Sequence, residues 1–178
     1  MKKLYKRTGK QTRYWEAWDA GNRSVIVHWG TLGKTGRKKT VRIPKGKTAG
    51  DVIERESQEP SSNGYEEIDI DDHVQIIVQF KTKDAWGDTD DLDKRHSVED
   101  ILDDCLGWTG NGHCDGGDIG SGTINAFSFV VDPHLAKDAI VAALEKNELI
   151  DGAIIAHQNE DDYEVLWPKD FEGEFSIL

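Results

Sequence analysis

The sequence predicts an α+β fold divided into two domains, and three observations lead to this prediction. Short runs in which apolar and polar residues alternate, as in strands, are mixed with segments in which apolar residues recur every three or four positions, as in helices. The length of 178 residues suits one large domain or two small ones. Residues 1–50 hold 14 of the 22 basic residues but only two of the 34 acidic ones, so the net charge is +12 there and −24 over the rest. Such asymmetry indicates contact with nucleic acid or another charged surface, although two solvated faces of opposite sign would also produce it.

The first domain is predicted over residues 1–66 as a three-stranded antiparallel meander followed by one helix. The helix is expected from about 48 to 59, and the run from Pro60 to Gly64 is expected to end it, because proline cannot continue the helical hydrogen bonds. Aromatic and β-branched residues with a period of two, separated by turns that contain Gly or Asn, place the strands at 12–18, 24–29 and 37–43.

The second domain is predicted over residues 73–178, after an acidic linker at 67–72 that has little to bury. The expected elements are a strand at 73–80, a helix with Ser97 as its N-cap, a glycine-rich loop at 107–122, a strand at 123–131, a helix from the Asp132-Pro133 cap to Asn147, and strands at 152–157 and 163–167. This order predicts an antiparallel sheet with two helices on one face, close to the ferredoxin-like pattern.

A motif near residue 30 links the first domain to a known family. The run HWGTLGKTG at 28–36, preceded by YWE at 14–16 and followed by Gly64-Tyr65, resembles the WGR domain over about residues 3–68. This small module is named for a Trp-Gly-Arg signature and occurs in DNA-dependent ADP-ribose polymerases and in many bacterial proteins. Thr31 stands where the signature has arginine, which bears on the contact that this arginine makes in the family. The resemblance implies a half-open sheet with one helix that holds a DNA end while touching a neighbouring domain.

The basic residues of the first domain independently indicate a nucleic-acid site. Lysine and arginine gain affinity for a duplex by releasing the counterions of its phosphates, and an aromatic ring such as that of Trp29 can stack on an exposed sugar or base. A simpler interpretation is that Trp29 belongs to the core and the lysines only keep the protein soluble. The predicted nucleic-acid-binding residues are Arg13, Trp29, Gly30, Lys34, Arg37, Lys38, Lys39 and Arg42.

The glycine-rich stretch at 110–122 invites a phosphate-cradle interpretation. Neither the P-loop lysine pattern nor GxGxxG is present, and Asp115 and Asp118 would repel a phosphate. A tight turn that needs positive φ at several glycines is the more economical interpretation. The stretch from Asp115-Gly116 to Gly122 resembles part of an uncharacterised small bacterial α+β domain, a resemblance that implies a fold and no activity.

Metal sites are poorly supported by the spacing of the candidate ligands. Cys105 and Cys114 lie nine positions apart, whereas structural zinc sites usually contain a closely spaced cysteine pair, and Cys105 falls on the apolar stripe of its helix. A calcium loop starting at Asp88 would place Leu92 and Asp93 where an oxygen ligand and a glycine are needed. We therefore expect no metal and no cofactor.

Composition excludes several classes of protein. The longest apolar run, at 139–144, is far too short to span a membrane, and no apolar core follows the basic start MKKLYKRTG. Two cysteines cannot form a disulfide framework, so we expect a cytoplasmic protein with both thiols reduced. No serine-histidine-aspartate set, nucleophile elbow, HExxH or kinase motif is present, and the protein is not expected to be an enzyme.

The sequence thus favours a two-domain binding protein. Its basic half is expected to contact DNA, with duplex ends as one candidate target, while its acidic half binds a protein partner or inhibits the first half. An inhibitor or immunity-type protein that neutralises a basic partner is the alternative, and an enzyme that uses the glycine-rich loop is a weaker third.

Overall fold

The computed structural model describes residues 1–160 and 162–177. Two antiparallel sheets and three helices confirm the predicted α+β class. The chain divides into two compact units, the first formed by Met1–Asp71 together with Trp108–Gly110, the second by Asp72–Gly107 and the residues from Asn111 onward. The first unit is therefore discontinuous in sequence. Within the described residues, no helix combines the length and the apolar character needed to cross a membrane.

The first unit contains a four-stranded meander and one helix. Its elements are β1 (Lys2–Thr8), β2 (Gln11–Gly21), β3 (Ser24–Thr31), β4 (Arg37–Arg42) and α1 (Ala49–Ser62), and the strands lie in the order β1-β2-β3-β4. The prediction of three strands was wrong because β1 shows no alternation of apolar and polar residues. Leu4 and Tyr5 are its buried apolar residues, they are adjacent, and they therefore face opposite sides of the sheet.

Helix α1 begins at a capping box and continues past Pro60. The Asp51 N–H donates to Thr48 Oγ1 (3.2 Å) and the Thr48 N–H donates to Asp51 Oδ2 (2.8 Å). The run from Pro60 to Gly64 ends the helix as predicted, and Pro60 itself lies in the last helical turn, where its missing N–H removes a single bond. Its carbonyl still accepts from the Asn63 and Tyr65 N–H groups, at 3.0 and 3.1 Å.

The two sides of this sheet bury different residues. Helix α1 packs with Val52 and Ile53 on the side that carries Leu4, Trp15, Ala17, Val25 and Val27, which we call the helix face. Strand alternation places the neighbouring residues Tyr5, Tyr14, Glu16 and His28 on the other side, which we call the histidine face. The core of the first unit lies between α1 and the helix face.

The second unit is a five-stranded antiparallel sheet with two helices. Its elements are β5 (Val74–Lys81), α2 (Thr89–Trp108), β6 (Gly112–Gly120), β7 (Thr123–Val130), α3 (Pro133–Lys146), β8 (Ile154–Asn159) and β9 (Asp162–Trp167), with a 3₁₀ turn at Ile70–Asp72 before them. The strand order is β6-β7-β5-β8-β9. The first four strands with α2 and α3 form a split βαβ arrangement, to which β9 is added at one edge.

The glycine-rich segment is a strand, so the predicted loop was wrong. Strand β6 pairs with β7, and two of its glycines, Gly112 and Gly117, are needed because β7 runs so close. A Cβ on Gly112 would lie 2.1 Å from the Phe129 carbonyl oxygen, and one on Gly117 would lie 2.3 Å from the Asn125 carbonyl oxygen. Lack of a side chain at these positions allows the pairing.

Helix α2 begins eight residues before the predicted cap. Ser97 lies inside the helix, where its hydroxyl donates to the Asp93 carbonyl (2.9 Å). The helix starts after Asp88, whose Oδ1 accepts from the Asp91 N–H (3.0 Å) while Asp91 Oδ2 accepts from the Asp88 N–H (3.1 Å). The first two turns are almost entirely polar and so give no apolar stripe. For α3, in contrast, the predicted cap is confirmed, since Asp132 Oδ1 accepts from the Leu135 N–H (2.9 Å).

Candidate nucleic-acid interface

The predicted nucleic-acid-binding residues divide between the two faces of the first sheet. Cross-strand pairing places Arg13, Trp29, Arg37 and Lys39 on the helix face. The same alternation places Lys38 and Arg42 on the histidine face, in register with His28 and Ser24, while Lys34 lies in the turn between β3 and β4. The basic run from residue 37 to residue 42 therefore cannot act as one surface.

Gly30 lies in the strand with no room for a side chain. It pairs with Tyr14, and a Cβ on it would lie 2.9 Å from both the Gly36 Cα and the Tyr14 hydroxyl oxygen. Close packing between β3 and the following turn accounts for this glycine without any ligand.

The helix face has an open end that combines an exposed tryptophan with basic side chains. Trp29 is 36% exposed, which excludes the core interpretation, and it lies directly between Trp15 on β2 and Arg37 on β4. Arg13, Arg37 and Lys39 are all exposed. Helix α1 therefore leaves uncovered the part of this face that carries Trp29 and three cations.

A concavity of about 450 Å³ lies between this open end and the C-terminal half of α1. We call it the aromatic pocket. It is lined by Trp15, Val27, Trp29, Lys39, Arg55, Glu56, Glu59, Pro60, Asn63 and Tyr65. Three aromatic rings and a proline thus form its apolar wall, and two cations and two carboxylates form its polar part.

The cations of the aromatic pocket are held in place by Glu56. Lys39 Nζ lies 2.7 Å from Glu56 Oε2, and Arg55 Nη2 lies 2.8 Å from Glu56 Oε1. The hydrogen bond from Lys39, and then that from Arg55, keep the pKa of the Glu56 carboxyl below its usual range. Glu56 therefore stays ionised and positions both cations.

A second concavity, of about 410 Å³, adjoins the first at Tyr65 and is lined by Lys6, Thr8, Gln11, Arg13 and Tyr65. We call it the basic pocket. Lys6 is paired with Arg13 across β1 and β2, and its Nζ lies 5.9 Å from the centroid of the Tyr65 ring. Of the described residues that line the basic pocket, none is acidic.

The histidine face contains a buried chain of hydrogen bonds. Glu16 Oε1 lies 2.7 Å from His28 Nδ1, and His28 Nε2 lies 3.0 Å from the Tyr14 hydroxyl oxygen. Lys3 Nζ is 3.4 Å from Glu16 Oε2. Burial, followed by the charge of Glu16, raises the pKa of the Tyr14 hydroxyl, so this group stays protonated. All three members of the chain are buried, which gives them a structural role.

Residues Trp108–Gly110 cover this buried chain and so complete the first unit. The Trp108 ring lies 5.0 Å from His28 and 6.3 Å from Trp18, measured between centroids, and Lys38 Nζ lies 4.7 Å over it. Further contacts are made by the backbone and the glycine: the Gly33 N–H donates to the Thr109 carbonyl (3.0 Å), the Tyr5 hydroxyl donates to the Gly110 carbonyl (3.2 Å), and a Cβ on Gly110 would lie 2.3 Å from the Tyr14 ring. Lys38 is thus engaged in packing.

The cysteines of the second unit have the properties of packing residues. Burial raises the pKa of the Cys105 thiol to about 12 and also raises the pKa of the Cys114 thiol, so both remain protonated and weakly nucleophilic near neutral pH. Throughout residues 1–160 and 162–177, no three His, Cys, Asp or Glu side chains are grouped so that they could hold a metal ion. Asp88, at which a calcium loop would have to start, caps α2 through the Asp91 N–H.

The glycine-rich segment pairs with β7 as an edge strand, so its backbone is extended and not curled into the loop that a phosphate cradle requires. Asp118 accepts a hydrogen bond from Asn125 Nδ2 (2.7 Å). These contacts support a packing role for the segment.

Comparison with protein-family models, with curated proteins and with solved structures gives no match to this chain. The residues of the two pockets that sequence reasoning missed are chiefly Arg55, Glu56 and Glu59 on α1. Their sequence signal is weak, since charged residues are common on the exposed side of any helix. Tyr65 was marked only as part of the WGR resemblance.

Proposed function

We propose that the chain is a non-catalytic, cytoplasmic binding protein whose first unit, a WGR-like domain, contacts nucleic acid through the open end of the helix face. The observation that carries this proposal is the exposure of Trp29 in one cross-strand row with Arg37, flanked by Arg13 and Lys39. The four-stranded meander with one helix agrees with the WGR resemblance in sheet type and helix number.

Two physical effects support nucleic acid as the ligand. Each phosphate that a lysine or arginine neutralises releases counterions, which favours binding at low salt. An exposed tryptophan adds stacking on a base or sugar, which is independent of sequence. Both side-chain types lie within the same small area of the helix face, and residues 1–50 carry a net charge of +12.

The acidic remainder of the chain enters the proposal as a regulator or a protein-binding surface. From residue 51 onward the net charge is −24, which would compete with phosphate for cations or attract a basic protein. Affinity purification with the full chain separates these roles from the inhibitor alternative. Recovery of nucleic acid supports the proposal, whereas recovery of a basic protein without nucleic acid favours an inhibitor or immunity-type protein.

The direct test is fluorescence anisotropy of the full-length chain on a short labelled DNA duplex at several salt concentrations. Arg13→Gln combined with Arg37→Gln removes two cations from the helix face. We expect the slope of log affinity against log salt to fall by about 1.8, since each phosphate contact contributes about 0.9. Absence of binding to duplex even at low salt would overturn the proposal.

A matched control removes the same charge elsewhere in the first unit. Arg42→Gln combined with Lys45→Gln changes two exposed cations, of which Arg42 lies on the histidine face. We expect this variant to keep most of the salt slope. Equal losses in both double variants would mean that only the overall positive charge matters and that the helix face is not the interface.

A further inference from the structure

We propose that the aromatic pocket takes the base of one unpaired nucleotide while the basic pocket takes its phosphate. The protein would then prefer a nucleic-acid end that carries an unpaired nucleotide over a blunt end. This inference rests on the proposed function and names the part of the nucleic acid that its site recognises.

The size and wall of the aromatic pocket suit a base. Its volume of about 450 Å³ falls within the range of about 300–1,000 Å³ that is usual for small-ligand sites. Trp15, Trp29, Tyr65 and Pro60 provide flat apolar surface, and bases of every kind stack on aromatic rings. Trp29 is the most exposed of the three rings and therefore the ring most available for stacking.

The charges of the two pockets determine which of them binds the base and which binds the phosphate. In the aromatic pocket the Glu56 and Glu59 carboxylates offset the two cations, so a phosphate gains less there than in the basic pocket. Glu56 already accepts from Lys39 and Arg55, whereas the exposed Glu59 carboxylate can accept from the exocyclic amino group of a base. The basic pocket presents Lys6 and Arg13 and no described acidic residue, which suits a phosphate.

Tyr65 connects the two pockets into one site. Its side chain lines both, so a base in one and its phosphate in the other would place the sugar at this ring. Lys6 reaches over the same ring and is paired with Arg13, so both cations lie beside the tyrosine. The arrangement fits a single nucleotide in one orientation.

An unpaired nucleotide can enter such a site at lower cost than a paired one. A base inside a duplex must lose its pairing and its stacking before it can enter a pocket, which costs a few kcal/mol, whereas a single-stranded base needs much less. The two pockets therefore select for unpaired nucleotides through the energy of exposing the base.

The test compares three labelled probes on the full-length chain by fluorescence anisotropy: a blunt duplex, the same duplex with one unpaired terminal nucleotide, and the same duplex with an abasic terminal nucleotide. We expect the unpaired nucleotide to strengthen binding by about tenfold, a factor that stacking of one base on an aromatic ring readily provides. The abasic probe should lose this gain, because it retains the phosphate but lacks the base.

Trp29→Leu should abolish the gain from the unpaired nucleotide and leave weaker, salt-dependent binding to the blunt duplex. Trp86→Leu is the matched control, because Trp86 is also exposed (87%) but lies in the second unit, and it should change neither affinity. Trp29→Phe keeps an aromatic ring and should retain part of the gain. Circular dichroism of each variant checks that it is folded.

The outcomes separate the inference from the function on which it rests. Equal affinity of the native chain for all three probes would overturn the nucleotide site and leave the proposed function standing. Equal affinity for the unpaired and abasic probes, both above blunt, would mean that only the extra phosphate is recognised, which also overturns it. No binding to any probe would overturn both. The comparison of probes uses the native chain and remains decisive even if a variant fails to fold.

Discussion

The helix face and the histidine face are built from alternate residues of the same four strands, yet they differ in which charged and aromatic side chains they bury and which they expose. The helix face ends in an exposed tryptophan and solvated cations, while the histidine face buries Glu16, His28 and Tyr14 beneath Trp108–Gly110. The neighbouring residues Lys38 and Lys39 show the contrast most clearly, since one lies over the Trp108 ring and the other reaches Glu56 at the aromatic pocket. One strand thus supplies stability on one side and a binding surface on the other.

The largest expected loss of stability comes from interrupting the buried chain of hydrogen bonds on the histidine face. His28→Ala would leave Glu16, which is 5% exposed, with Lys3 at 3.4 Å, and would remove the nearest hydrogen-bond partner of the Tyr14 hydroxyl. Leaving a buried polar group without its hydrogen-bond partner costs about 1–3 kcal/mol, and more when the group is charged. Urea unfolding followed by tryptophan fluorescence measures the loss, with the exposed His96→Ala as control. A loss no larger than that of His96→Ala would contradict the structural role of the chain.

Substitution of Gly110 is expected to cause the next largest loss of stability. A methyl group there would meet the Tyr14 ring at 2.3 Å, and the backbone φ of +67° disfavours any side chain. We expect Gly110→Ala to destabilise the protein by about 2 kcal/mol.

Gly107→Ala provides the control for Gly110, because both glycines lie close together in sequence but only one is crowded. Gly107 is inside α2 and a Cβ there meets no atom within 4 Å. Alanine should therefore stabilise the helix by about 0.5–1 kcal/mol. We expect the melting temperature to fall for Gly110→Ala and to rise for Gly107→Ala. A change in the same direction in both variants would show that Gly110 does not pack on Tyr14.

Single lysine substitutions on β4 test the contrast between the two faces with smaller effects. One variant should mainly lose stability and the other should mainly lose affinity for duplex. Lys38→Ala should cost about 0.5–1 kcal/mol of stability through loss of its contact with the Trp108 ring and change duplex affinity little. Lys39→Ala should instead weaken duplex binding, because it removes a cation from the helix face, while loss of its surface ion pair with Glu56 costs at most about 1 kcal/mol. Equal binding losses in the two variants would remove the functional distinction between the faces.

The smallest effect is expected from adding a cation to the helix face. Thr31 is paired with Arg13 and partly buried at the open end of this face, and Thr31→Arg would introduce the arginine that the WGR signature has at the corresponding position. If this position lies near a phosphate, the salt slope should rise by about 0.9. An unchanged slope in the anisotropy titration would place residue 31 outside the interface.

The sequence predicted those elements whose local signals agree with their final environment. The alternating strand at 123–131 and the Asp132 cap of α3 are examples, because burial on one face and a capping side chain are both visible locally. Strand β6 was missed because glycines that allow close pairing with β7 look the same in sequence as glycines that form a turn.

The candidate site was predicted only in part, for a similar reason. The sequence marked Trp29 and the cations around it, but grouped Arg37, Lys38 and Lys39 together, although strand alternation sends them to opposite faces. Arg55 and Glu59 reach the aromatic pocket from α1, and only tertiary packing brings them there. The position of Trp108–Gly110 against β3 likewise depends on contacts between residues about 80 positions apart, which no local pattern records.

The discontinuity of the first unit affects how the chain can be made and reused. While the protein is being synthesised, the N-terminal sheet must wait until Gly110 has left the ribosome before its charged interior is covered. A nascent chain of about 70 residues would therefore expose Glu16 and His28 to water and to chaperones. For the same reason, a gene fragment that ends after α1 would encode an incomplete first unit. Recombination that moved only this N-terminal part would leave behind Trp108–Gly110, which belong to the same unit.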